Sequence, residues 1–213
     1  MKADGAYLVD LPTAILGAQF SLTDHFQRVL CRDLVRAAET IHTGGVIAYP
    51  TEAVFGLGCD PLNKAAVEKL LALKQRSPDK GLILIAAEFA QLEAFLKPLD
   101  DALMQRVANT WPGPVTWLVS AKAHVPIWLR GSSNTLAVRV TAHPIASALC
   151  RHAGCAIVST SANLAGQHPA RSADAVRQAF GAAIDFLLDG PLGNSDRPTE
   201  IRNAISGEII RAG

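Results

Sequence analysis

Apolar residues fall into two kinds of pattern along this chain: short unbroken runs, and longer stretches in which they recur at every third or fourth position. Thr23 or Asp24 is placed to cap a helix whose buried stripe is Phe26, Val29, Leu30, Ala37, Ala38 and Ile41, and Gly44-Gly45 ends it. Residues 46–49 form an apolar strand stopped by Pro50, and a long loop runs on to Pro61. Helical spacing returns from Lys64 to Lys74 through Val67, Leu70 and Leu71. A polar loop over residues 75–80 precedes a strand at 82–86. The next helix, with Leu92, Phe95, Leu103 and Val107 on its buried side, runs to the break at Trp111-Pro112-Gly113-Pro114. The pattern then predicts strands over 115–119 and 135–140, a helix over 144–153, a strand at 156–158 and a loop over 159–169. Ser172 caps a further helix that ends near Gly181, a strand follows at 184–188, and Glu200 to Arg211 reads as a hairpin turning at Ser206-Gly207. Residues 1–21 show no sustained period. Strands mixed with helices predict an α/β sheet domain with some antiparallel pairing towards the end.

Composition narrows the classes this fold can serve. Of 213 residues, 49% are hydrophobic and 18% charged, which suits one compact domain with at most a small extension. Twenty basic against nineteen acidic side chains leave a net charge of +1, too little for a protein that grips nucleic acid over its whole surface. A local basic cleft is compatible with that total. Cys31, Cys59, Cys150 and Cys155 show neither CxxC pairing nor the spacing of a disulfide framework. With no basic-then-apolar leader, they are expected to be reduced thiols in a soluble, cytoplasmic protein, and no metal site is expected. No apolar run approaches the roughly 20 residues that span a bilayer.

Four segments carry candidate chemistry. In Pro50-Thr51-Glu52-Ala53-Val54-Phe55-Gly56-Leu57-Gly58, a hydroxyl and a carboxylate follow a buried strand, and glycines let backbone approach a ligand; the ordinary reading is a glycine-containing turn. No GxGxxG or GxxxxGK[ST] pattern occurs, which disfavours a Rossmann or P-loop site. In Lys74-Gln75-Arg76-Ser77-Pro78-Asp79-Lys80, three cations gather at a helix end, and in an extended segment Lys74 and Arg76 point to the same side; alone, this is equally a solvated surface. Arg139 lies in the apolar strand Thr135-Leu136-Ala137-Val138-Arg139, where it needs an anion, either a carboxylate of the protein or that of a substrate. Ser159-Thr160-Ser161-Ala162-Asn163 offers a dense cluster of donors and acceptors suited to phosphate oxygens, or to capping its own loop.

In this order the segments resemble the YrdC/TsaC-type threonylcarbamoyl-AMP synthase family. The likeness runs from about Leu22 to the C-terminus and includes AYPTEAVFGLGCDP, LKQRSPDKGLILIA, WPGPVTWLV, LAVRVTAHP, VSTSANLAG and EIRNAISGEIIRAG. Residues 1–21 fall outside it as an N-terminal extension, and residues 22–213 are read as the catalytic domain of the short, single-domain bacterial form. The resemblance implies an open, twisted mixed α/β sheet with flanking helices around a deep basic cavity. It implies synthesis of threonylcarbamoyl-adenylate from L-threonine, bicarbonate (or CO2) and ATP, with Mg2+ on the ATP phosphates. The product would go to threonylcarbamoyl transferase proteins that modify tRNA beside the anticodon. It places Lys74, Arg76, Ser161 and Asn163 at the catalytic centre. Thr51, Arg139, Ser159 and Thr199 fall at the threonine site, with Lys80, Thr135 and Arg211 joining the catalytic four around ATP. Thr199 stands where the family often has serine, and Ala165 replaces a frequent serine.

Two other readings compete. A non-catalytic module that binds duplex RNA or tRNA through phosphate contacts would also use a basic concave surface, with contact to RNA then the whole function. Carbamoyl-adenylate formation, as in the related domain of hydrogenase-maturation proteins, would need the zinc-binding and acylphosphatase segments found beside that domain, and none is visible here. The Arg76–Lys80 loop is a candidate lid, and Glu52 is a possible base or a turn cap.

Overall fold

The computed structural model describes residues 24–213, with side-chain surroundings from residue 30 onward; the predicted extension over 1–21 and the Thr23 cap lie outside the described residues. The elements are α1 (Asp24–His42), β1 (Ile47–Pro50), β2 (Phe55–Gly58), α2 (Lys64–Lys74), β3 (Ile83–Ala86), α3 (Asp101–Ala108), β4 (Val115–Ser120), α4 (Ile127–Arg130), β5 (Thr135–Val140), α5 (Pro144–Ala153), β6 (Ile157–Ser161), α6 (Ala173–Phe180), β7 (Phe186–Leu187), β8 (Glu200–Asn203) and β9 (Ile209–Arg211). Their strands form one sheet in the order β7-β1-β2-β6-β3-β5-β4-β8-β9. The expected open mixed sheet with flanking helices is therefore present. Antiparallel pairing is not confined to the C-terminal part, however: β1–β2, β2–β6 and β3–β6 are antiparallel as well as β4–β5 and β8–β9.

The period-2 alternation of the strands divides the core between two faces. Ala48, Leu84, Ala86, Val138 and Val158 point to the face covered by α2, α6 and the Trp117 region. Ile47, Tyr49, Ile85 and Ile157 point to the other, where α1 and α5 pack through Leu34, Ile41, Ala146 and Leu149. Those two helices pack against each other and reach β1, β3 and β7. They leave the same face of β5, β4 and β8 to the pocket described below.

Four expectations are corrected. The segment read as a loop from Pro50 to Pro61 contains β2, which pairs with β1 in the register Pro50↔Phe55 to Ile47↔Gly58. Gly58 is required by crowding: a Cβ there would lie 2.6 Å from the Val158 carbonyl oxygen and 2.8 Å from the Tyr49 ring. The helix predicted through Leu92, Phe95, Leu103 and Val107 is two pieces, a 3-10 turn at Phe89–Leu92 and α3. Pro98 lacks the amide that a continuous helix would use, and Asp100 restarts the chain by accepting from the Leu103 amide at 2.8 Å. The run at 156–158 extends as β6 to Ser161, so Ser159 and Ser161 are strand residues. Finally, α2 includes Lys74, and Gln75 caps it in the left-handed conformation (φ 51°), so Lys74 and Arg76 do not share an extended segment.

Candidate functional site

A pocket of about 490 Å³ opens on the face left bare by α1 and α5. Its floor is set by strand alternation: Thr135, Ala137 and Arg139 of β5 line it, while Leu136, Val138 and Val140 point into the core. Leu118 of β4, Ile201 of β8 and Ile83 of β3 continue the floor. The walls come from Thr51, Ala53 and Val54, from Arg76 and residues 79–82, from Leu129, Arg130, Ser132 and Ser133, from the end of β6 with Pro169, and from Pro198, Thr199, Ile210 and Arg211. Arg76, Lys80, Arg130, Arg139 and Arg211 bring five cations to the lining against one carboxylate, Asp79. Of the residues singled out in the sequence, Thr51, Arg76, Lys80, Thr135, Arg139, Ser159, Ser161, Thr199 and Arg211 all line this pocket.

Lys74 and Asn163 do not line it; they sit directly behind its wall. The Lys74 ammonium is buried and donates to the carbonyl of Ser161, to the carbonyl of Asn163 at 2.9 Å and to Asn163 Oδ1 at 3.2 Å. Asn163 Oδ1 also accepts from the Ser161 hydroxyl at 2.6 Å, and its Nδ2 donates to Leu164 and Gln167 carbonyls. This network folds the chain after β6 over the helix end, so the hydroxyl cluster does cap its own loop while Ser161 faces the pocket. Burial, with Arg76 adding like-charge repulsion, lowers the Lys74 pKa to about 8. Arg76 donates to the Gly81 carbonyl at 2.9 Å, and burial lowers its pKa.

Arg139 finds its anion inside the protein. Its Nη2 donates to Glu52 Oε2 at 3.2 Å and its Nη1 to the Thr199 hydroxyl at 2.8 Å. Both side chains are buried. Glu52 Oε1 accepts from the Thr141 hydroxyl at 2.6 Å. Burial alone would raise the Glu52 pKa, but Arg139 and Thr141 outweigh it and hold the carboxyl below its ordinary value. With both oxygens committed and no place in the pocket lining, Glu52 is not arranged as a base towards a ligand. Arg211 donates to the Thr199 carbonyl at 2.7 Å; burial first, then the charges of Arg139 and Arg76, lower its pKa.

Sequence reasoning missed Thr141 and Arg130, and left the partner of Arg139 open. A buried arginine signals that some anion exists, but Glu52 lies 87 positions away, and only folding brings the two together. Arg130 had no signal at all, because its helix α4 is only four residues long and lacks a full period. The candidate lid at Arg76–Lys80 contains a 3-10 turn, Pro78–Lys80, capped by Ser77. Among the described residues no group of three or more metal-ligating side chains occurs, and no helix is long and apolar enough to cross a membrane.

The pocket unites the segments that carried the family resemblance, and a family model described as telomere recombination, the Sua5/YciO/YrdC family, matches residues 39–213. The chain belongs to this family. Within the Sua5/YciO/YrdC family it is similar to the threonylcarbamoyl-AMP synthase of Nitrosococcus oceani, 57% identical over 175 residues that make up 82% of this chain and 95% of the relative. Among solved structures it resembles P. abyssi Sua5 complexed with L-threonine, with a TM-score of 0.75 and 32% identity over 80% of this chain. The match spans 50% of that longer Sua5 chain. It also resembles E. coli YciO, with a TM-score of 0.71 and 27% identity, over 81% of this chain and 84% of that one.

Proposed function

We propose that this protein is a threonylcarbamoyl-AMP synthase: it condenses L-threonine, bicarbonate (or CO2) and ATP into threonylcarbamoyl-adenylate and releases pyrophosphate. The observation that carries the reading is one cationic, hydroxyl-lined pocket in a chain 57% identical to a relative of that name. A pocket near 490 Å³ is of the size that encloses small ligands, typically about 300–1,000 Å³. That favours catalysis over an RNA-binding module, which would need an extended basic surface that a net charge of +1 does not suggest.

In the reaction the neutral threonine amine attacks CO2 and gives up a proton to solvent, leaving an anionic carbamate. A carbamate oxygen then attacks the α-phosphorus of ATP, the new P–O bond forms, and the bond to pyrophosphate breaks. Both reactants are anionic, and at an effective dielectric near 20 unit charges 4 Å apart repel by about 4 kcal/mol. Arg76, Lys80 and Arg211 offset that repulsion and stabilise charge on the departing pyrophosphate. Thr51, Arg139, Ser159 and Thr199 form the threonine side; Thr135, Ser161 and the cations form the ATP side. Lys74 and Asn163 act from behind the wall by fixing the chain that presents Ser161. Mg2+ would come with ATP and neutralise charge on its phosphates, and Asp79 is the one carboxylate in the lining that would be available to it. Residues 22–213 form the catalytic domain. The product passes to transferase proteins that modify tRNA, which places the work in the cytoplasm.

The test is to incubate pure protein with ATP, bicarbonate and labelled threonine and to look for the adenylate. Lys74→Ala, Arg76→Ala and Asn163→Ala each depress its formation at least about tenfold, the effect of about 1.4 kcal/mol on a barrier. Tight tRNA binding without any threonine-dependent pyrophosphate release would establish the RNA-binding reading instead.

A further inference from the structure

We infer that Glu52 is a positioning residue that sets the affinity for the amino-acid substrate by holding the Arg139 guanidinium in one orientation at the pocket floor. The inference rests on the synthase reading and deepens it, because it assigns a role to a carboxylate that contacts no ligand-facing space. Arg139 enters from the middle of the sheet, where β5 pairs with both β3 and β4, so its backbone cannot yield. Its side chain, 4% exposed, is fixed at two points, by Glu52 outside the pocket lining and by Thr199 within it. Two of the five N–H groups of a guanidinium are thereby used, and Nε is buried with no protein partner. Arg139 lines the pocket, so its remaining Nη hydrogens make it a receptor for a carboxylate, while Glu52 fixes the plane they occupy.

Glu52 is itself held from three sides. Thr141 donates to Oε1, and the Thr141 hydroxyl in turn accepts from the His143 amide at 3.1 Å. The Glu52 carbonyl accepts from the Ser195 amide at 3.0 Å, and Gly193 packs so closely that a Cβ there would lie 2.8 Å from that carbonyl oxygen. His143 adds no charge: Nδ1 accepts from the Ala146 amide, its ring faces the Pro191 carbonyl through Nε2, and burial lowers its pKa. Glu52 is therefore the counter-ion of Arg139, in a site where Arg211 would otherwise repel it. Without the carboxylate, a buried guanidinium loses its partner and rotates towards other acceptors. The amino acid then meets a disordered receptor, whereas the nucleotide side, which Glu52 does not touch, is unchanged.

Steady-state kinetics of adenylate formation with threonine and ATP varied in turn test this. Glu52→Gln keeps the size and removes the charge; it raises KM for threonine about tenfold or more, lowers kcat less than about threefold and leaves KM for ATP within about twofold. Thr141→Val, which removes the hydroxyl that donates to Oε1 and accepts from the His143 amide, moves KM for threonine in the same direction by about threefold. An unchanged threonine KM in Glu52→Gln, or an equal rise in both KM values, overturns the inference. A merely structural carboxylate would lower the melting temperature with no selective change in KM. Should Glu52→Gln not fold, Thr141→Val decides alone, and a threonine KM equal to wild type overturns the proposal. A wild-type protein that forms no adenylate sinks the synthase reading itself, an outcome separate from any of these.

Discussion

Lys74 has three acceptors, and only the ammonium form offers three N–H groups to meet them. With its pKa near 8, the proton leaves as the solution becomes mildly alkaline, and one bond to the Ser161–Asn163 chain is lost. Adenylate formation is therefore expected to fall as pH rises through about 8, and Lys74→Arg, always charged, to remove that limb from the pH–rate profile. Stability runs the other way. The unfolded chain keeps this proton up to the ordinary value of 10.5, so between about pH 8 and 10.5 it binds more protons than the folded state. The contribution of Lys74 to stability thus increases with pH across that window, measurable by denaturant titration after comparison with Lys74→Met. Thr199 carries a second prediction at this scale. It accepts from Arg139 through its hydroxyl and from Arg211 through its carbonyl. Thr199→Val removes only the first bond, worth about 1 kcal/mol, and is expected to weaken threonine binding about fivefold, read as KM for threonine. Thr199→Ser is expected to keep the bond and the affinity.

Among the elements, the short pieces matter most to the pocket. The 3-10 turn Pro78–Lys80 lies against α4, and Gly131, at the end of α4 with φ +62°, makes their contact possible. A Cβ there would fall 2.2 Å from the Asp79 carbonyl oxygen. Gly131→Ala is expected to destabilise the protein by about 1–3 kcal/mol, from overpacking and a strained φ, and to raise KM for ATP because Lys80 shifts with the turn. Thermal melting and nucleotide kinetics on the same variant check both halves. The long elements were legible in the sequence: α5 and β5 have the predicted limits because Pro144, Gly154 and a clean apolar run mark them. Strand β2 was not, since its glycines imitate a loop unless the Tyr49 ring and β6 that crowd them are known.

For the whole molecule, one sheet binds the site together, with segments from residue 51 to residue 211 meeting in one pocket. A ligand that joins them stabilises the fold as a unit. ATP with threonine, each at about 100 times its dissociation constant, is expected to add up to about 2.7 kcal/mol per bound ligand, seen as a concentration-dependent rise in melting temperature. On the proposal that the pocket hydroxyls of Thr51, Ser159 and Thr199 meet the threonine hydroxyl, valine should add little beyond ATP, because it leaves such a group unpaired. Serine should retain part of the effect, since a methyl pocket discriminates by only about 1–3 kcal/mol. By itself the sequence determined the α/β class, most of the helices and strands, and the set of cations and hydroxyls from which a site is built. These are local properties, written in periodicity, caps and motifs. The tertiary structure alone decided which of those groups face the ligand space. Arg139 turns out to be paired with Glu52, and Lys74 and Asn163 stand behind the wall rather than in it. Such assignments depend on contacts between residues far apart in the chain, whose distances no local pattern encodes.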